Sequence, residues 1–525
     1  MFGKTNHIHF IGIGGIGMSG MAELLHKLGF NISGSDLKRS ERTDSLQNLG
    51  INISEGHHNT NINGADVVVY SSAIKNDNPE MDAALLKQIP LIRRAEMLAE
   101  LLKVKTTSIA IAGTHGKTTT CSMLGTILTE AETNPTLVIG GIVNKFQSNT
   151  ISGSGNVIVV EADEFDRSFL TLQPTMGLIT NLDLEHLDCY EGLKDLQIAF
   201  TQFANAVPFY GTIGICIDNS NAASIIPDIK RPVVTFGIHE NAEIQAFDLQ
   251  FEKNHSTFEL SIHGEPQGKL TVHVPGEHNV KNALGAVVLA LELDIPFDKI
   301  QSGLDQYTGV RRRFDIKYTT DNNIIIVDDY AHHPSEVSAT LGAAKSGWDH
   351  RIIAIFQPHL FTRTRDFYKE FAQAFQQSDI LIVTDIYPAR EDPIKSITAK
   401  IITDEAEKKP GGAHYKGSVV AHQNDHEKQM MQMKGAHMDH SPRQGGSFFM
   451  APDKMHHLEG DYSAKCGLRL FFYNAFTQPI RADRFKAFIR IVPQKDNEPE
   501  VLRFLSPSKD GSILHTLIGG DVFPP

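Results

Sequence analysis

"IAGTHGKTTT" spans Ile111 to Thr120. The apolar run "TSIAIAG", from Thr107, leads into a glycine turn; Lys117 and three threonines follow, and "TTCSMLGTILTEA" continues as a helix. Strand, glycine turn and helix in that order make a phosphate cradle, because turn amides and the free N–H groups of a helix start favour an anion. The usual spacing is G-x-x-x-x-G-K-[ST]. Here the residue five before Gly116 is Ile111, so the loop is a shorter one: Gly113, Thr114, His115, Gly116, Lys117, Thr118. The chemistry survives the shortening. Lys117 can neutralise phosphate charge, and a threonine hydroxyl can ligate Mg²⁺. A strand–turn–helix with a surface lysine is the bland alternative.

Two acidic segments follow apolar strands downstream. "NVIVV" ends in Glu161-Ala-Asp163-Glu164, and "MGLITNLD" leads into "LEHLD", with Asp183, His186 and Asp188. A carboxylate at a strand end beside a phosphate loop is where Mg²⁺ needs an oxygen ligand. A solvated acidic turn is the alternative for either segment alone.

Upstream, "HIHFIGIGGIG" at residues 7–17 reads as a buried strand and a second glycine turn: Gly12, Gly14, Gly15, Gly17. Glycines there let the backbone approach a pyrophosphate at a helix N-terminus. Asp36 ends the next strand, 19 residues after Gly17, where an acid can bond a ribose hydroxyl. The pattern does not separate a dinucleotide from a UDP-sugar. A dinucleotide-dependent oxidoreductase is therefore a rival, but it leaves Lys117 and Glu161 without a role.

The 525 residues allow three or four domains of ordinary size. The net charge of −13 argues against broad binding to nucleic acid or to an anionic membrane. The four cysteines form no CxxC pair, which suits a reducing compartment. No apolar run approaches the length needed to span a bilayer and no signal peptide is visible, so the expected compartment is the cytoplasm. Alternating strands and helices predict an α/β chain with parallel sheets covered on both faces. Boundaries are expected near 105, 310 and 403.

Further polar clusters sit at predicted element ends. "GEHNVKNA" carries His278, Asn279 and Asn282; the reading is a base or sugar contact, with Asn279 as a plain N-cap the alternative. "GVRRRFD", "DDYAHHP" and "QPHLFTRTRD" bring cations and histidines to positions that can close over an anionic substrate.

Together these segments resemble the Mur ligases of bacterial cell-wall synthesis. The carriers are "GIGGIGMSGMAE", "SSAIKNDNPE", "RRAEMLAEL", "GTHGKTTT", "EADEFDRSFL", "GEHNVKNA", "GVRRRFD", "DDYAHHPSEV", "QPHLFTRTRD" and "DIYPAREDPI", in family order over residues 1–403. The first glycine loop favours the branch that adds L-alanine over the one that recycles a peptide. The resemblance implies a Rossmann-like UDP-sugar domain at 1–105, a central ATPase domain at 106–310 and a Rossmann-like ligase domain at 311–403. It implies that ATP converts the carboxylate of UDP-N-acetylmuramate into an acyl phosphate, from which L-alanine displaces phosphate. By resemblance, Gly12, Gly14, Gly15, Gly17, Met18, Ser19, Asp36 and Ser71 take the UDP-sugar. Gly113 to Thr119, His278, Asn279, Asn282, Arg313 and Asp328 (or its neighbour Asp329) take ATP. Thr118, Glu161 and His186 hold Mg²⁺. Lys117, Glu161, His186, His332 and Arg363 carry the chemistry, and Tyr330 and His359 line the substrate site. The sequence departs from the pattern at Leu360, where many relatives have an arginine, so one substrate contact is not carried over.

Residues 404–525 do not follow the family pattern. They hold eight of the 24 histidines and six of the 13 methionines, so a soft-metal site is one reading. A polar linker followed by a small β-rich piece is the other. A ligase domain that stops at 403 lacks strands, and its sheet should expose an apolar edge. An impaired fusion with a metal-binding tail is thus an alternative to a working ligase.

Overall fold

In this computed structural model the described residues are 3–408, except 72, 76, 185–188, 240, 321–322 and 390, together with seven strands between 447 and 516. Two compact units divide the chain, residues 1–420 and 421–525.

The first unit opens with a five-stranded parallel sheet. Its order is Asn52–Glu55, Asn31–Asp36, His7–Ile11, Val67–Tyr70, Leu91–Arg93. Strand order reverses on either side of His7–Ile11, and ligands of such sheets bind at that crevice, beyond the carboxyl ends of the strands. The glycine loop after Ile11 and Ser71 after Tyr70 flank it. Helix Ile16–Lys27 buries Met18, Met21, Leu24 and Leu25 against the sheet, at helical spacing.

The next sheet has ten strands. Eight run in one direction; Ser148–Ile151 at one edge and His255–Ile262, next to the other edge strand Glu265–Val272, run against them. Thr107–Ala112 lies between Val157–Glu161 and Met176–Ile179. The phosphate loop, Glu161 and Asn181–Asp183 therefore leave the carboxyl ends of three neighbouring strands, which brings them together. Helix Lys117–Glu130 is buried at ten successive positions, Thr119 to Leu128, under helices Glu277–Leu291 and Phe297–Asp305.

Among the described residues, the part beginning near residue 311 is thinner than a complete α/β layer. Strand Ile325–Asp328 pairs antiparallel with Asp315–Thr319, and Ile353–Phe356 pairs parallel with Ile380–Val383. Each is a two-stranded sheet. Helices Pro334–Gly347, Phe361–Ala374 and Lys400–Glu407 supply a small core around Phe356, Phe371, Phe375 and Val383. Ile324 and Ile355 stand 60% and 71% exposed, so apolar surface that further strands or helices would cover faces solvent.

The second unit contains only antiparallel pairs among its described strands. Ser447–Met450, His457–Ser463, Gly467–Tyr473, Ile513–Thr516 and Ser506–Pro507 form one sheet in that order; Phe488–Ile491 pairs with Val501–Phe504. The histidine- and methionine-rich stretch at 409–446, and with it the soft-metal reading, lies outside the described residues.

Candidate active site

Gly116 caps the helix that begins at Lys117, with φ +83°. Only glycine takes that conformation without strain, and a Cβ there would stand 2.2 Å from the Asn282 side-chain oxygen. The loop is pinned elsewhere too: His115 N–H donates to Asn181 at 2.8 Å, and Thr180 Oγ1 donates to the His115 carbonyl at 2.6 Å. Gly116→Ala should therefore cost about 1–3 kcal/mol in strain alone and weaken ATP binding while leaving UDP-sugar binding in place. Isothermal titration of each ligand checks this; equal ATP affinity would contradict it.

Lys117 folds over its own loop. Its Nζ donates to the Gly113 carbonyl at 2.5 Å, the Thr114 carbonyl at 3.1 Å and Glu164 Oε2 at 2.7 Å. Beside it Thr118 Oγ1 donates to Glu161 Oε2 at 3.2 Å, and Gly140 N–H donates to Glu161 Oε1 at 2.6 Å. Burial raises the Glu161 carboxyl above its ordinary value, although Gly140, Lys117 and Thr118 pull the other way.

Two cavities meet at this loop. The larger, about 650 Å³, is lined by Gly15, Gly17, Met18 and Ser71 from the first sheet, Lys117 and Glu161 from the second, and Tyr330, His332, His359 and Arg363 from the third part. The smaller, about 310 Å³, is lined by Thr119, Asn181, His278, Asn279, Asn282 and Asp329. His115, Gly116, Thr118, Arg313 and Glu336 border both. Burial pushes His278 down to about 4, so a neutral imidazole faces the smaller cavity at neutral pH.

The sequence-derived residues fall mostly on these walls; the alternative of Asn279 as a plain N-cap fails, and three other placements depart from the expectation. Asp328 does not reach a cavity: it ends its strand 3.8 Å from Lys317, and the next residue, Asp329, lines the smaller one. Asn279 is not an N-cap. Gly276 begins that helix, and Asn279 lies one turn inside, donating to the Pro275 carbonyl at 2.7 Å. Ser19 is buried, and its hydroxyl donates to the Ile16 carbonyl of its own helix. Gly12, Gly14 and Asp36 shape the first glycine loop without lining the larger cavity; Gly14 N–H donates to Asp36 Oδ2 at 2.8 Å. His186 lies outside the described residues.

Several lining residues carry no individual role in the sequence reading, among them Arg94, Glu164 and Glu336. Arg94 opens a helix after strand Leu91–Arg93 and reaches Asp163 at 3.3 Å across the first two sheets. Glu164 takes the Lys117 charge, and Glu336 is the third. An arginine at a helix start and an acid after "EAD" were visible signals; their partners, far off in sequence, were not. Leu360 lines the larger cavity between His359 and Arg363, with φ +71°.

A short phosphate loop on a parallel sheet, a neighbouring carboxylate and a second nucleotide-type loop facing the same cavity define a nucleotide-dependent ligase. Three family profiles match the chain: "Mur ligase family, catalytic domain" over residues 7–106, "Mur ligase middle domain" over 111–290 and "Mur ligase, glutamate ligase domain" over 312–437. The chain belongs to the Mur ligase family. It is 49% identical over 403 residues to the UDP-N-acetylmuramate–L-alanine ligase of Geotalea daltonii, covering 77% of this chain and 88% of that one. The enzyme of the same name from Syntrophus aciditrophicus is 50% identical over 401 residues, covering 76% and 83%. Among solved structures, the UDP-N-acetylmuramate-alanine ligase of Thermotoga maritima matches with a TM-score of 0.67 at 30% identity, over 79% of this chain and 90% of that one.

Proposed function

We infer that the chain joins L-alanine to UDP-N-acetylmuramate with hydrolysis of ATP, in peptidoglycan precursor synthesis. The observation that carries this is the shared wall of the two cavities: His115, Gly116 and Thr118 of the phosphate loop border the nucleotide side and the sugar side at once. That is what phosphoryl transfer from ATP to a bound carboxylate requires. The carboxylate oxygen takes the γ-phosphoryl group and ADP leaves. The alanine nitrogen then bonds to the acyl carbon, phosphate departs with the C–O bond pair, and the amine gives up a proton. Lys117 and Arg313 offset the charge of the two anions. His332 and His359 border the larger cavity and are the groups placed to accept the amine proton. Gly15, Gly17 and Ser71 hold the UDP-sugar, and His278, Asn279 and Asn282 border the adenine side.

Magnesium fits the donor set. Thr118 and Glu161 offer two hard oxygens at the loop, and Mg²⁺ at such sites takes its remaining ligands from phosphate and water. When bound, the ion would neutralise phosphate charge. Among the described residues no cluster of three or more His, Cys, Asp or Glu is placed to hold a metal ion. Among the same residues no helix is long and apolar enough to cross a membrane. We place the reaction in the cytoplasm, where ATP is available.

The test is phosphate release from ATP with UDP-N-acetylmuramate, comparing L-alanine, glycine, L-serine and a muropeptide tripeptide. Release that depends on L-alanine is expected. Release with the tripeptide alone would assign the chain to muropeptide recycling, and no release with any acceptor would favour an impaired fusion.

A further inference from the structure

Glu336 is the third residue of helix Pro334–Gly347, and its side chain is 10% exposed. Part of its role is local. Its Oε2 accepts from the backbone N–H groups of His332 at 3.0 Å and His333 at 3.3 Å, closing the start of the helix as a capping-box acid does. The remaining contacts are not local. Oε1 meets Arg313 Nη1 at 3.1 Å and lies 3.5 Å from Nδ1 of His115, in the phosphate loop. Oε2 lies 3.3 Å from Nδ1 of His332. A cap needs one acceptor and no charge; this carboxylate gathers three cation-forming groups at the boundary of the two cavities.

We propose that Glu336 is a positioning residue for the ligation reaction, holding the phosphate-loop His115, Arg313 and the substrate-side His332 in one array that links the ATP cavity to the sugar cavity. The proposal rests on the ligase reading above. Burial alone would raise the Glu336 carboxyl, but His115, His332 and Arg313 outweigh burial and hold it well below the usual carboxylate range. It is therefore ionised at neutral pH, as the array requires. A charged hydrogen-bonding partner at this depth is worth more than an exposed one, and its loss is felt by every group it orients.

Glu336→Gln separates the two roles, because glutamine serves in a capping box but carries no charge. Expected in the full-length variant are a thermal midpoint and Kd values for ATP and the UDP-sugar close to wild type, with kcat lower by on the order of tenfold or more. A second readout does not need turnover. The imidazoles of His115 and His332 are followed by NMR in histidine-labelled protein and assigned with His115→Gln and His332→Gln. His115 also faces Asp183 at 3.4 Å and the His333 ring at 4.9 Å, and His332 faces Tyr330 and His359. Removing one carboxylate from these surroundings should lower the His332 midpoint, and His115 by less because Asp183 remains. Unmoved imidazole midpoints would overturn the array, whatever happens to turnover. So would a fall in kcat that merely tracks a fall in thermal midpoint. Wild-type protein without ligation would count against the ligase reading, while the NMR arm would still decide whether the array exists.

Discussion

Lys117→Ala removes ligation while UDP-sugar binding stays close to wild type. The Lys117 amine sits on the phosphate loop's own carbonyls, at Gly113 and Thr114. On the reading proposed above, its charge would face the phosphoryl group in transfer, where a preorganised cation contributes most. The loss should be on the order of 3 kcal/mol or more in transition-state stabilisation, or more than about a hundredfold in turnover. The alanine variant also takes the cation from Glu164, which is 1% exposed, so the thermal midpoint should fall as well. UDP-sugar titration is the control for a folded site, because Gly15, Gly17 and Ser71 belong to a different sheet. Turnover near wild type would take the phosphate loop out of the mechanism.

Glu161→Gln raises the Mg²⁺ concentration needed for half-maximal rate by more than about tenfold. Glutamine keeps the shape and can still accept from Gly140 N–H, so the change is mainly one of charge. A hard cation prefers the charged oxygen. The pH dependence gives a second signature. Because burial raises the Glu161 carboxyl, its ionised form is present only above that raised value, and protons compete with the cation below it. The wild-type Mg²⁺ requirement should therefore grow as pH falls, while that of the glutamine variant should change much less. Superimposable Mg²⁺ titrations at two pH values would make Glu161 a structural acid at its strand end.

The parts of the site that could be read from sequence are those whose chemistry is local. A strand, a glycine turn and a lysine at the helix start are contiguous, so "GTHGKT" announced its geometry. Glu161 was legible because its strand is an unbroken apolar run with the acid at the end. Choosing between Asp328 and Asp329 was harder: consecutive residues at a strand end face opposite ways, and a shift of one residue exchanges their roles. In the structure Asp328 lies 3.8 Å from Lys317 of the neighbouring antiparallel strand, whereas Asp329 lines the smaller cavity, a placement the sequence did not advertise. The N-cap alternative for Asn279 could not be dismissed from sequence because asparagine is a good N-cap; in the structure Gly276, at φ +93°, caps the helix three residues earlier. Glu336 could be read only as a capping acid, since its other partners lie at positions 115 and 313.

The thin third part has a consequence for the living cell. Ile324, Ile326, Ile353 and Ile355 lie in or beside short strands and remain largely solvent-facing. Extended apolar segments of this kind are what chaperones and quality-control proteases grip. Arg313, His332 and Arg363 all come from this region, so opening it disarms the active site as it exposes the handle. Surveillance would then remove molecules at the moment they stop working. Cell-wall precursor supply would follow the steady-state amount of the enzyme more closely than its turnover number, since a shift of only 1–2 kcal/mol in opening changes abundance several-fold. A pulse-chase half-life for Ile355→Lys no longer than that of wild type would argue that degradation begins elsewhere.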